Sequence, residues 1–87
     1  MKLRIGSFEY RHGESESDRN RDPEIVKFLE NGTCYTIAFW RLNKEGYYVE
    51  SVGSRLIACL PEKEFIALLN YGQSVLDAHF TLKEFLK

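Results

Sequence analysis

Few side chains in this sequence could carry out nucleophilic catalysis. The candidates are Cys34, Cys59, His12, His79 and Asp77. Catalysis by a thiol requires a base within hydrogen-bond reach and a third group that orients this base. No glycine-rich nucleophile turn accompanies either cysteine, and His79 continues an apolar helical pattern. The sequence therefore predicts that the chain is not an enzyme.

Metal and cofactor chemistry is also not indicated. Zinc sites use Cys and His in short paired spacings, whereas the two Cys and two His of this chain are scattered. The six Gly are dispersed and form neither GxGxxG nor GxxxxGK, the phosphate-binding patterns. We therefore expect no metal and no small-molecule cofactor. Cys34 and Cys59 lie in apolar stretches, which predicts two small buried side chains rather than a reactive pair.

The segment 33–53 is the clearest candidate for a binding surface. It contains the only Trp and three of the five Tyr around a polar turn at 43–46, and its two arms, 33–42 and 47–53, predict a β-hairpin. Neighbouring side chains of a strand face opposite sides of a sheet, so these rings cannot all lie under a helix. Tyr, Trp and Arg are enriched at protein interfaces. We predict a partner-binding set of Tyr35, Trp40, Arg41, Tyr47, Tyr48 and Arg55, with ordinary cross-strand aromatic pairing as the alternative.

The segment 11–22 is a second candidate. It contains twelve residues without an apolar side chain. Such a segment cannot recover the entropy of ordering through burial, which predicts a mobile loop. Arg19 and Arg21 are its candidate contacts to a partner, and a solvated connector is the alternative interpretation.

Size and charge limit the function classes. The chain has 87 residues, 44% of them hydrophobic, which predicts a single domain over 1–87 with one core. The formal net charge of −1 provides no overall attraction to nucleic acid or anionic lipid. No apolar run approaches the roughly 20 residues that span a bilayer. Residues 1–7 also lack the apolar core of a signal peptide, so we expect a cytoplasmic protein without a membrane partner.

Two elements are predicted before the hairpin. The apolar residues of 3–10 alternate in two phases that change at Gly6, which predicts a first strand bent by a bulge. Asp22, Pro23 and Glu24 form a helix-start signal, and Asn31-Gly32 is a helix-end signal, which together predict a two-turn helix.

Two further elements are predicted after the hairpin. A third strand of the sheet is expected over 55–60. A long helix is expected from Pro61, with apolar residues at helical spacing up to Phe80 and a last short turn from Thr81. Gly72 lies in the apolar stripe and could permit close approach to a strand, with a kink as the alternative.

The predicted order is β-α-β-β-β-α. This order indicates an α+β fold: a single small domain with an antiparallel three- to four-stranded sheet and two helices packed on one face. We expect a small non-enzymatic protein-binding module that uses the aromatic-rich hairpin face. By analogy of size and composition it is an adaptor or an inhibitor of the phage or mobile-element type, and the partner is another protein or a second copy in a homodimer.

Nucleic acid is the alternative partner. The α-β-β-β-α order predicted after residue 22 is similar to that of double-stranded-RNA-binding domains. Such domains place basic residues at the start of their last helix, whereas this chain has Pro61-Glu62-Lys63-Glu64. A single-strand platform of sheet aromatics flanked by Arg4, Arg41 and Arg55 is the other form of this alternative.

Overall fold

A computed structural model describes residues 2–13, 22–51 and 63–85. In these residues one antiparallel sheet is covered by one C-terminal helix. The strands are β1 (Lys2–Ile5), β2 (Phe8–Arg11), β3 (Glu24–Phe28), β4 (Cys34–Asn43) and β5 (Gly46–Ser51), and the helix is α1 (Lys63–Phe85). The strand order in the sheet is β1-β2-β3-β4-β5, so each strand pairs with its neighbours along the chain. The α+β class is confirmed, whereas the described residues form five strands and one helix in place of the predicted three or four strands and two helices.

The first two strands form a hairpin around Gly6 and Ser7. Ile5 pairs with Phe8, so only two residues lie in the turn, and Gly6 has a φ of 61°. A positive φ at the first central residue is typical of the tight turns that join antiparallel strands. The predicted bulge in one bent strand is therefore wrong, because the chain reverses direction there.

Residues 24–28 form the strand β3 instead of the predicted helix. β3 pairs with β2 on one side and β4 on the other, and the backbone N–H of Trp40 donates to the Pro23 carbonyl at 2.8 Å. Ile25 and Val26 are β-branched, which favours a strand. Two neighbouring strands satisfy the backbone of this short segment better than two helical turns can. Gly32, with a φ of 88°, lies in the turn between β3 and β4.

The predicted β4–β5 hairpin is confirmed. Asn43 pairs with Gly46, and Lys44 and Glu45 form the turn. The Asn43 side-chain oxygen accepts hydrogen bonds from the backbone N–H groups of Glu45 at 2.9 Å and Gly46 at 3.1 Å. Gly46 has a φ of 130°, as its place in the turn predicts.

The long helix is also confirmed, but it continues without a separate last turn as far as Phe85. Of the helix residues 63–81, those buried are Phe65, Leu68, Gly72 and Leu76, whereas His79 is exposed and does not belong to the buried stripe. The predicted strand at 55–60 lies outside the described residues. Within the part of the chain that the structure describes, no helix has the length and apolar character to cross a membrane.

Gly72 allows the helix to lie directly on two rings of the sheet. A Cβ at Gly72 would lie 2.7 Å from Cη2 of Trp40 and 2.8 Å from Cε2 of Tyr10. The rings of Tyr10 and Trp40 meet edge to face at 5.6 Å between their centroids. Gly72 therefore permits the close approach of the helix to the sheet, which is one of the two predicted alternatives.

The helix crosses the sheet from one turn to another. Its first turn lies at the β1–β2 turn, where the Glu64 side chain is near Gly6. Its far end lies at the β4–β5 turn, where the Phe80 ring is near Gly46. All five strands contribute to the sheet, but β1, β2 and β5 approach the helix most closely.

Candidate functional site

The strand pairing separates the sheet into a helix-side face and an outer face. A bulge in β4 decides this division, because Ile25 pairs with Ala38 whereas Val26 pairs with Thr36, which leaves Ile37 as an extra residue. Tyr35 therefore shares the helix-side face with Ala38. Tyr35 and Phe39 lie on opposite faces, because the bulge interrupts the alternation between them.

Trp40 lies in the centre of the helix-side face. It is 0% exposed, and its Nε1–H donates to Oε1 of Gln73 at 2.8 Å. Tyr35 and Tyr47 are half-buried and pack against the same core. Three of the predicted partner-binding residues therefore contribute mainly to the packing of the helix on the sheet.

The outer face carries the other predicted residues of the hairpin. Tyr48 pairs with Arg41, and Glu50 pairs with Phe39, so all four side chains project from the same side of β4 and β5. We call these four residues the outer hairpin patch. Tyr48 is 40% exposed and the Arg41 side chain is 56% exposed.

Charge and aromatic contacts organise the outer hairpin patch. The Arg41 guanidinium carbon lies 5.2 Å from the centroid of the Phe39 ring, and Nε of Arg41 lies 3.6 Å from a Glu50 carboxylate oxygen. The guanidinium group is therefore held over a ring and beside an acid, with its remaining N–H groups available for a partner.

The opposite end of the outer face has a similar arrangement. The guanidinium carbons of Arg4 and Arg11 lie 4.1 Å and 5.6 Å from the centroid of the Phe28 ring. Nε of Arg11 donates to a Glu9 oxygen at 2.9 Å. Val26 is buried between the two ends, so the face is not uniformly accessible.

Among the candidate catalytic side chains that the structure describes, His79 is near enough to His12 to lower its pKa, whereas Cys34 has Arg11 as its neighbour. Cys34 is the first residue of β4 and is exposed on the outer face, where no described helix covers it. The expectation of a buried side chain is therefore wrong. Its Sγ lies 3.8 Å from Nη2 of Arg11. His79 and Asp77 are exposed on the helix, and Asp77 accepts a hydrogen bond from Gln73 at 2.9 Å.

Several predicted residues cannot be placed. Arg19, Arg21, Arg55 and Cys59 lie outside the described residues, as does most of the predicted loop at 11–22. Arg11, the first residue of that loop, belongs to β2 instead. Within the described ranges, no group of three or more metal-ligating side chains is present.

Two exposed aliphatic residues beside the aromatic set were not predicted as site residues. Leu42 on β4 is 53% exposed and Val49 on β5 is 43% exposed, both on the helix-side face. The sequence could not indicate that they are exposed, because their exposure depends on how much of this face the helix covers. They add apolar surface near the edge of the described sheet.

Comparisons with known proteins add no family to this geometry. No family model, no curated protein and no solved structure matches the chain. Function is therefore inferred from the surface chemistry of the sheet.

Proposed function

We propose that the chain is a small non-enzymatic protein-binding module whose partner contacts the outer hairpin patch. The observation that carries this proposal is the position of Arg41 and Tyr48. They are exposed side by side on adjacent strands, on the face opposite the helix. Arg and Tyr are among the residues that contribute most binding energy at protein interfaces. Such a module can act as an adaptor or as an inhibitor.

The internal contacts of the patch favour binding because they reduce the cost of ordering. Arg41 is positioned by the Phe39 ring and the Glu50 carboxylate before a partner arrives. Immobilising a long side chain on binding costs about 0.5–1.5 kcal/mol, and a side chain that is already positioned loses less. Tyr48 offers a rigid ring with a polar tip, which suits both apolar and hydrogen-bonding contacts.

The charge pattern of the outer face favours a protein over nucleic acid. Arg11 is paired with Glu9, and Arg41 with Glu50. A phosphate backbone attracts unneutralised cations and is repelled by neighbouring carboxylates. Residues 24–28 form a strand where the predicted α-β-β-β-α order of double-stranded-RNA-binding domains has its first helix, so the resemblance in element order is lost.

Affinity capture tests the proposal. The tagged full chain and the double variant Arg41→Ala/Tyr48→Ala are incubated with lysate of the native host, and bound proteins and nucleic acids are identified. We expect a protein that the wild type retains and the double variant loses. The Arg41–Glu50 pair is exposed and contributes at most about 1 kcal/mol to stability, so the double variant should remain folded by circular dichroism.

The matched control is Leu29→Ala/Ile66→Ala, which removes two exposed apolar side chains outside the patch. This control should retain the partner. If the double variant retains the partner as well as the wild type does, the outer hairpin patch is not the binding surface. Salt-sensitive recovery of nucleic acid without any protein would support the alternative function instead.

A further inference from the structure

Three cationic side chains share the outer face of β1 and β2. Lys2 pairs with Arg11, and Arg4 pairs with Glu9. Paired residues, and residues two apart along a strand, project from the same side of a sheet, so these four side chains lie on one surface. Glu24 on β3 pairs with Arg11 and belongs to the same surface. Among these five residues cations outnumber acids, whereas the whole chain has a formal net charge of −1.

Arg4 is the cation of this surface that is best placed to bind another molecule. Its Nε–H donates to the Gly6 carbonyl oxygen at 3.2 Å, and its guanidinium carbon lies 4.1 Å from the centroid of the Phe28 ring. These contacts orient the group but use only one of its five N–H donors. Arg4 is exposed, and none of the acids that the structure describes forms an ion pair with it. Its two Nη groups are therefore available to an acceptor from outside the chain.

Arg11 adds a second positive charge beside the same ring. Its guanidinium carbon lies 5.6 Å from the centroid of the Phe28 ring, so the two guanidinium carbons are at most about 10 Å apart. Charges at this separation interact across about one Debye length at physiological salt, so the two groups repel each other and both attract an anion. Arg11 itself is held by Glu9, to which its Nε donates at 2.9 Å. Arg4 is therefore the contact residue, and Arg11 strengthens the field around it.

The acids beside these cations favour a carboxylate of a protein over a nucleic acid. A nucleic acid carries a phosphate at every nucleotide, so phosphates adjacent to the one at Arg4 would come close to Glu9 and Glu24. A protein segment can place one carboxylate at Arg4 and uncharged residues beside the two acids. The planar guanidinium group matches a carboxylate through two parallel hydrogen bonds.

We propose that Arg4, stacked on Phe28, binds a carboxylate side chain of an acidic protein segment. The Nη groups of Arg4 donate to the two carboxylate oxygens, and the partly exposed Phe28 ring packs against the apolar atoms that carry the carboxylate. This site lies at the opposite end of the outer face from the outer hairpin patch. It does not depend on the partner proposed for that patch.

Titration of the purified chain into rhodamine-labelled hexaglutamate, followed by fluorescence anisotropy, tests the chemistry of the ligand. We expect binding that weakens with salt, little binding of hexaglutamine, and weaker binding of the oligonucleotide hexathymidylate, which carries a similar charge. An absence of hexaglutamate binding at millimolar protein and low salt would overturn the proposal. Tighter binding of hexathymidylate would overturn it in favour of nucleic acid.

Substitutions at Arg4 test the position of the site. Arg4→Gln should weaken hexaglutamate binding about tenfold or more, because a charge-assisted pair of hydrogen bonds is lost. Lys44→Gln changes the net charge equally at the exposed β4–β5 turn and should leave the affinity unchanged. Arg4→Lys keeps the charge without the planar fork and should recover only part of the affinity. Equal loss in Arg4→Gln and Lys44→Gln, or full affinity in Arg4→Lys, would contradict the proposed site, with circular dichroism verifying that each variant is folded.

Discussion

The indole N–H of Trp40 donates to the side-chain oxygen of Gln73 at 2.8 Å, and this bond links the sheet to the helix at the centre of the core. The Gln73 amide nitrogen donates in turn to the Tyr47 carbonyl oxygen at 3.0 Å and to Asp77 at 2.9 Å. One helical side chain therefore satisfies a buried indole and a backbone carbonyl of β5. It also fixes where the helix lies along β4 and β5.

Replacement of Gln73 by Ala should lower the free energy of unfolding by about 1–3 kcal/mol, because the buried Trp40 N–H loses its acceptor. Chemical denaturation followed by Trp fluorescence measures this change. Ser74→Ala, at the next and exposed helix position, is the control and should change stability little. Equal stability of Gln73→Ala and wild type would show that the bond to Trp40 contributes nothing to the fold.

Gly72→Ala should destabilise the protein although Ala favours helices by about 1 kcal/mol. The new Cβ would lie within 3 Å of rings of both Tyr10 and Trp40, and such overpacking costs about 1–3 kcal/mol. Thermal unfolding measures the effect, with the exposed Asn70→Ala as control. Combining Gly72→Ala with Trp40→Phe should cost less than the sum of the two single changes, because the smaller ring leaves room for the methyl group. Simple additivity of the two changes would contradict the proposed clash.

Tyr10→Phe should raise the free energy of unfolding by about 1 kcal/mol at neutral pH. The Tyr10 hydroxyl is buried, and none of the residues that the structure describes offers it a hydrogen-bond partner. Removing an unsatisfied polar group and retaining the ring abolishes the desolvation cost. Denaturant titration of the two proteins provides the comparison, and a less stable variant would indicate that the hydroxyl has a partner.

The same residue should make the fold sensitive to alkali. Burial, together with the nearby Tyr71 and Tyr47, raises the pKa of Tyr10 from 10.0 to about 12. The Tyr10 hydroxyl therefore loses its proton at a lower pH in the unfolded chain than in the folded chain. As a result, the free energy of unfolding decreases as the pH rises above about 10. Stability measured between neutral pH and pH 11 should therefore fall less steeply in Tyr10→Phe than in wild type.

His12 should contribute to a loss of stability in mild acid. Burial lowers the pKa of His12, and the positive charge of the N-terminus and then that of His79 act in the same direction. Because the unfolded chain binds the proton more readily, stability falls as the pH decreases through about 6.5. His12→Gln should flatten this dependence, and His79→Gln should flatten it in part. Parallel pH profiles for wild type and His12→Gln would contradict the assignment.

The sequence by itself determined the elements that depend on local signals. The turn at Asn43 and Gly46 follows from residues that favour reversal, and the α1 helix follows from apolar side chains at helical spacing. The close approach at Gly72 was one of two outcomes open to the sequence. The alternation of side chains along a strand also predicts that some hairpin rings lie on the face away from the helix, and Tyr48 is such a ring.

Only the tertiary structure decided which segments pair and which rings are covered. Local signals predict a helix in the segment between Pro23 and Gly32. This segment is a strand because it pairs with β2 on one side and with β4 on the other. The bulge at Ile37 then reverses the alternation of β4, which places Tyr35 and Trp40 on the same, helix-side face. Cross-strand hydrogen bonds and helix packing are contacts between residues distant in the sequence, so no local pattern could specify them.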